Sequence, residues 1–169
     1  MPGTESQVLV RPATLDDAPA IVAIWETVVA ERKYTAVDAP FTWEEERAYL
    51  SSLSGREIIH VAEVAGQVVG FQSLDGWVKY THSMDHVGQM GTFILPAFRG
   101  RGIGHRLTQA TLDFARRHGY EKIVIFIRQG NAEAQAFYAS LGFVPCGKLS
   151  RQVKIDGKYD DEIFMELFL

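Results

Sequence analysis

The residues best suited to chemistry lie between Met90 and His105, where a strand-like run passes through Gly100, Gly102 and Gly104 into a helical pattern. Glycine lets backbone N–H groups converge without a Cβ in the way, and the helix that follows adds unpaired first-turn N–H groups with about +0.5 of dipole charge. Phosphate or pyrophosphate suits such a junction. Arg99, Arg101 and Arg106 surround it, and a guanidinium can engage two phosphate oxygens together. The other reading is a tight strand-to-helix turn with solvated arginines. Two phosphate loops are excluded: G-x-G-x-x-G counted from Gly100 meets His105 at its third glycine, and G-x-x-x-x-G-K-S/T occurs nowhere.

Three other groups could do chemistry. His82-Ser-Met-Asp-His86 has two histidines at helical spacing with Asp85, as a zinc site would need. No helical apolar period accompanies them, however, and Ser83 stands where H-E-x-x-H needs glutamate, so no metal is expected. Tyr138 follows Phe137 on an apolar helical face, where a tyrosine is either core or a proton donor. Cys146, the only cysteine, sits in the apolar run Phe143–Cys146 without a neighbouring base and reads as a buried core thiol, not a nucleophile.

The elements that must position these groups follow from periodicity. Gln7–Arg11 reads as a strand, and Thr14 or Asp16 caps a helix to about Arg32 with Ile21, Ile24, Trp25 and Val28 on its buried face. After a loop over Lys33–Phe41, Thr42 caps a short helix whose Glu44, Glu45 and Glu46 lie where the dipole favours them, which reads as capping and not catalysis. Glu57–Val64 and Gln67–Leu74 form a hairpin about Ala65-Gly66. Asp75–Asp85 reads as a strand piece and a loop. Val87–Leu95 is the strand that enters the Gly-rich turn, and the helix leaving it, marked by Ile103, Leu107, Ala110 and Phe114, closes at His118-Gly119. Ile123–Ile127 reads as a strand buried on both faces, parallel to its predecessor. Asn131 caps a helix ending at Leu141-Gly142-Phe143, and Val144–Ile155 and Lys158–Phe168 form a hairpin through Asp156-Gly157. The fold class is therefore α/β (α+β mixed sheet), with helices on both faces of a mostly antiparallel sheet and a parallel β-α-β core.

A chain of 169 residues is one domain in size, able to bury about 70% of its unfolded surface. The longest apolar run, Ala20–Trp25, is far too short to span a bilayer. Met1–Ser6 has neither a basic start nor an apolar core, and with a single cysteine a cytoplasmic protein without internal disulfides is expected. A net charge of −4 argues against general binding to nucleic acid or anionic membranes. Between Arg99 and Lys122, six basic residues face Asp113 and Glu121, so that stretch is +4 and the remainder −8. A local basic patch on an acidic protein suits one small polyanion, although Arg116 and Arg117 also suit a solvated helix C-terminus.

Arg99-Gly-Arg-Gly-Ile-Gly104 resembles the Q/R-x-x-G-x-G/A signature of the Gcn5-related N-acetyltransferases. Asn131-Ala-Glu-Ala-Gln-Ala-Phe-Tyr-Ala-Ser-Leu-Gly-Phe143 resembles a second motif of the same family, and the element order matches its fold along nearly the whole chain. The resemblance implies a single N-acetyltransferase domain over residues 1–169. It also implies acetyl-coenzyme A as co-substrate, an amine acceptor, no metal, and direct transfer; dimers are frequent in the family. On this pattern the backbone of Thr92, Phe93 and Ile94 pairs with the pantetheine arm, and Ile94 N–H polarises the thioester. Arg99, Gly100, Arg101, Gly102, Ile103, Gly104 and His105 surround the pyrophosphate, and Asn131 and Phe137 belong to the coenzyme-binding half. Tyr138 takes the place of the general acid.

One departure concerns the base. Many relatives carry a glutamate on the strand before the Gly-rich loop, where this chain has Gly91. The amine's proton is then expected to leave through water toward backbone carbonyls or Asp85, His86 or Glu31. Acceptor choice falls to Glu31–Trp43 and Trp77–His86. Arg32, Lys33 and Tyr34 suit a carboxylate, as in relatives acetylating amino acids or phosphinothricin, while Asp75, Asp85 and Glu31 suit a cationic polyamine. A peptide N-terminus is a further acceptor. Two readings from other classes stand beside the enzyme: an acyl-coenzyme-A sensor without transfer activity, and a nucleotide-binding protein using the Gly-rich turn.

Overall fold

The computed structural model describes residues 7–169, so the reading of Met1–Ser6 lies outside the described residues. Its strands are β1 (Val8–Pro12), β2 (Ile58–Val64), β3 (Gln67–Gly76), β4 (Val87–Ile94), β5 (Lys122–Arg128), β6 (Val144–Ile155) and β7 (Lys158–Phe168). Its helices are α1 (Ala18–Ala30), α2 (Trp43–Ser52), α3 (Ile103–Arg117) and α4 (Ala132–Ser140). The strands make one seven-stranded sheet in the order β1-β2-β3-β4-β5-β7-β6, antiparallel except between β4 and β5. No helix among the described residues is long and apolar enough to cross a membrane.

Local chemistry sets the helix ends. Before α1 a 3-10 turn, Leu15–Asp17, intervenes, and Asp17 rather than Asp16 supplies the capping carboxylate by accepting the Thr14 amide at 2.7 Å. Arg11 grips the same carboxylate at 2.8 Å and holds Asp17 below the usual carboxylate range. Helix α1 stops at Ala30, short of the expected Arg32, because Arg32 turns left-handed at φ 55°. Thr42 and Glu45 form a reciprocal capping box on α2, with Glu45 N–H donating to Thr42 Oγ1 at 3.2 Å and Thr42 N–H to Glu45 Oε2 at 2.8 Å. Glu46, in the same acidic run, instead points inward and is buried.

Helices α1 and α2 cover one face, where Ile21, Ile24 and Val28 pack on Ile59, Val61 and Phe71. On the other face Leu112, Ala115 and Tyr138 pack with Leu74, Ile123 and Phe143. Ile123–Ile127 is buried as expected, apart from Phe126. Strand β3 runs two residues past Leu74, and Trp77–His86 forms no further strand. Cys146 overturns its reading as a core thiol: it is exposed, because β6 is the outermost strand and a register shift between Pro145 and Gly147 leaves Cys146 opposite no residue of β7.

The functional feature of the sheet is a divergence. Strands β4 and β5 pair only where Val87–Gln89 faces Lys122–Val124. Beyond that point β4 stays with β3 as far as Ile94, β5 stays with β7 as far as Arg128, and the two separate. Gly88 sits at the root, where a Cβ would lie 2.9 Å from Leu74 Cδ1, 3.0 Å from Ile123 Cδ1 and 3.1 Å from Tyr120 Cδ1. Gly88→Ala therefore overpacks the root and is expected to lower unfolding free energy by about 1–3 kcal/mol. Equal urea midpoints for variant and wild type would show that the root has slack.

Candidate active site

The divergence opens into a cleft of about 520 Å³ between Met90–Ile94 on one side and Phe126 and Ile127 on the other. The start of α3 and one face of α4 close it. Tyr138 and each residue expected at the coenzyme line this cleft except Arg101. Arg101 is exposed and packs its guanidinium over the Phe98 ring, 5.3 Å from the centroid.

The Gly-rich turn has the geometry that its sequence requires. Gly100 and Gly102 adopt φ +72° and +76°, a conformation that L side chains rarely adopt, so the chain can turn directly into α3. Gly104 serves a different purpose. A Cβ there would lie 2.9 Å from Phe137 Cζ, so its absence lets α4 approach the first turn of α3. Asn131 is buried and caps α4, its Oδ1 accepting the Ala134 amide at 3.1 Å. Arg99 does not present a free guanidinium. Its two Nη atoms hold both oxygens of Glu31 at 2.9 and 2.7 Å, and Nε donates to the Ile94 carbonyl at 2.9 Å. The guanidinium also stacks over Tyr34.

That ion pair removes Glu31 as a free base. Asp85 and His86 do not line the cleft: Asp85 lies 3.0 Å from His82 Nδ1 in the connection before β4, and His86 is exposed. Thus none of the three expected proton acceptors lines the cleft itself, and a path to any of them would run through water. At Gly91 a Cβ would meet the Phe93 ring at 3.2 Å, and that ring packs on Trp25 with centroids 4.4 Å apart. Phe93 takes the room a side chain at position 91 would need.

Tyr138 is buried, with its hydroxyl 2.6 Å from Thr92 Oγ1. Burial pushes its hydroxyl up to about 12, although the Thr92 hydrogen bond works the other way. Behind Thr92, Gln72 Nε2 donates to Thr92 Oγ1 at 2.7 Å and to Thr108 Oγ1 at 2.9 Å. Sequence reasoning missed Gln72 and Thr108. The available signal was polarity: glutamine interrupts the apolar run Val68–Leu74, and threonine breaks the buried stripe of α3.

Comparison with known proteins places this geometry. The model of the Acetyltransferase (GNAT) family matches residues 24–143, and the chain belongs to that family. It is 27% identical over 162 residues to the L-methionine sulfoximine/L-methionine sulfone acetyltransferase of Pseudomonas aeruginosa, covering 95% of this chain and 94% of that one. It is 29% identical over 172 residues to the L-amino acid N-acyltransferase MnaT of Escherichia coli, covering 95% and 93%. Among solved structures, YncA from Salmonella typhimurium, determined with its cofactor acetyl-CoA, superposes with a TM-score of 0.89 at 25% identity, covering 96% and 94%. The ribosomal-protein-alanine N-acetyltransferase of Brucella melitensis gives 0.87 at 28% identity, covering 95% and 99%. The chain is thus an N-acetyltransferase by class, and its fold is the family's fold.

Beyond Phe93, the α1–α2 face hides two acids. Tyr49 donates its hydroxyl to Asp75 Oδ1 at 2.5 Å, and burial raises the Asp75 carboxyl. Glu46 is 4% exposed beside the Trp25 indole, and burial pushes it from 4.5 up to about 7. Between those two values the folded chain binds more protons at this site than the unfolded chain. Stability therefore falls as pH rises from about 4.5 to about 7, and stays lower above. Glu46→Gln removes that loss: its urea midpoint should exceed wild type increasingly across this window, with the two converging at lower pH. A gap independent of pH would show that Glu46 is not protonated by folding.

Proposed function

We propose that this chain, acting as one domain over residues 1–169, moves an acetyl group from acetyl-coenzyme A directly to the primary amine of an amino acid or amino-acid-like molecule. The observation that carries the reading is the open edge of β4 in a cleft that it shares with the Tyr138 hydroxyl, which lies 2.6 Å from Thr92 Oγ1. From Met90 to Ile94 this edge has no β5 partner, so an extended amide-bearing arm can add to it as a strand would. Gly100, Gly102 and Gly104 stand where α3 begins, a site suited to pyrophosphate. The residues present fit the donor: the backbone of Thr92, Phe93 and Ile94 would hold the arm. The backbone from Arg99 to His105 would hold the pyrophosphate, with Arg101 as an exposed outer charge, and Asn131 and Phe137 would complete the far wall.

Acetyl-coenzyme A supplies an acyl group activated as a thioester. In the transfer the nitrogen–carbon bond forms, the carbon–sulfur bond breaks with its electron pair going to sulfur, and the amine's proton leaves to water. Ile94 N–H polarises the carbonyl. Tyr138 donates a hydrogen bond to the departing sulfur and keeps its proton. Between a tyrosine near 12 and a thiol near 8.5, full transfer would cost about 5 kcal/mol. Glu133, which lines the cleft, is paired with Lys33 at 3.5 Å and sits on the coenzyme side.

The acceptor class is supported by the activities of the relatives in Pseudomonas aeruginosa and Escherichia coli, which are aligned along nearly the whole chain. The Brucella melitensis neighbour favours a second reading, a protein N-terminus as acceptor.

Thiol release from acetyl-coenzyme A, measured against amino acids, methionine sulfoximine, polyamines and peptides, tests the reading. Release with the amino-acid class supports it; release with peptides alone transfers it to protein substrates, and none with any amine leaves a sensor. Tyr138→Phe should lower kcat about 10- to 150-fold, the worth of one hydrogen bond to a charged group at about 1.5–3 kcal/mol. Cys146→Ala should keep wild-type kcat, since the exposed thiol lies outside the cleft; lost activity would point to an acyl-enzyme.

A further inference from the structure

Hydrogen-bond direction behind Tyr138 can be worked out from donor counts. Thr108 Oγ1 donates its one proton to the Gly104 carbonyl at 2.8 Å, so it meets Gln72 as an acceptor. The nitrogen of the Gln72 amide must therefore face Thr108, and the flipped amide is excluded. The second proton of that nitrogen goes to Thr92 Oγ1. Thr92 now accepts from Gln72 and still has one proton to give. Gln72 Nε2 cannot take it, and Tyr138 Oη, at 2.6 Å, is the acceptor within reach of that proton among the described residues, a contact in which either hydroxyl can donate. With Thr92 as the donor, the tyrosine's own proton is free to point into the cleft.

A second observation sets this chain apart from ordinary core. Gln72 is 0% exposed, and its Oε1 has no hydrogen-bond partner. Leaving such an atom unpaired costs about 1–3 kcal/mol, which a methionine of similar size would not incur. The amide is retained in a place where stability alone disfavours it.

We propose that Gln72, Thr92 and Thr108 are positioning residues, a one-way hydrogen-bond relay anchored on the Gly104 carbonyl that aims the Tyr138 hydroxyl proton at the leaving sulfur. The inference rests on the acetyl-transfer reading above. As the carbon–sulfur bond breaks and negative charge gathers on sulfur, Tyr138 donates to it more strongly. The phenol oxygen grows more anionic, and the Thr92 hydroxyl, already aimed at it, stabilises that charge without reorienting. No proton passes along the relay; it fixes direction.

The test compares Thr92→Val, Thr92→Ser, Gln72→Met and Tyr138→Phe, together with the double variant Thr92→Val/Tyr138→Phe, in thiol release at saturating acceptor. Thr92→Val is nearly isosteric and removes the hydroxyl, both the donor to Tyr138 and the acceptor for Gln72. It should lower kcat about tenfold while changing the KM for acetyl-coenzyme A less than about twofold. Thr92→Ser, which keeps the hydroxyl, should recover most of the loss, Gln72→Met should resemble Thr92→Val, and Thr92→Val should add nothing in the Tyr138→Phe background. A readout independent of turnover is the titration of ring-labelled Tyr138 by carbon NMR, which should move upward in Thr92→Val. If Tyr138→Phe is impaired while Thr92→Val and Gln72→Met turn over like wild type, the relay is wrong and the role of Tyr138 stands. If Tyr138→Phe itself turns over like wild type, the sulfur-donor reading fails and the relay fails with it. A loss from Thr92→Val that adds to that of Tyr138→Phe would assign Thr92 a purely structural role.

Discussion

The site depends on the early parting of β4 and β5. Had these parallel strands stayed in register, their amides would have satisfied one another and filled the space between them. Instead three pairs form, and the strands are then held apart from outside: β4 by its full ladder with β3, and β5 by its full ladder with β7. Side-chain size at the root helps to hold the geometry. Gly88 lets Leu74, Ile123 and Tyr120 meet across the strand, so the pair closes tightly there before it opens. A cleft lined on one side by unpaired backbone follows from this constraint.

Charged side chains then strap the segment between α1 and α2 to the mouth. Arg99 joins β4's end to Glu31, while Arg128, held by Asp160 at 2.8 Å, donates to the Arg32 carbonyl at 2.6 Å. Arg32 in turn meets Asp156 in the β6–β7 turn at 3.3 Å. Arginine suits these tasks because its planar fork reaches a carboxylate and a carbonyl together. The exposed pairs contribute little to stability; their value lies in where they hold the segment.

Much of this was legible from the sequence, for physical reasons. Glycines at φ +72° and +76° leave a sequence mark because other residues are strained there, and the helix caps at Thr42 and Asn131 leave one because few side chains can accept a first-turn amide. Arg101 and Arg99 show the limit of the same motif. Type and spacing put both beside the turn, yet one is exposed over Phe98 and the other is committed to Glu31, a partner 68 positions away. Cys146 was misplaced because an apolar run looks alike in a central and an edge strand, and only strand order distinguishes them. Glu46 sits among capping acids, and its burial beside Trp25 depends on how α2 lies on the sheet.

By itself the sequence determined the elements, their order, the Gly-rich turn into α3 and the family they imply, because backbone conformation and amphipathic period are local properties written in residue type. Tertiary structure alone decided three things: the parting of β4 from β5, the pairing of Glu31 with Arg99 and the placement of Asp85 and His86 off the cleft lining, and the meeting of Gln72, Thr92, Thr108 and Tyr138 from four separate elements. These depend on which residues come within hydrogen-bonding distance after packing. For contacts spanning 20 to 46 positions, no spacing rule in the chain can specify that.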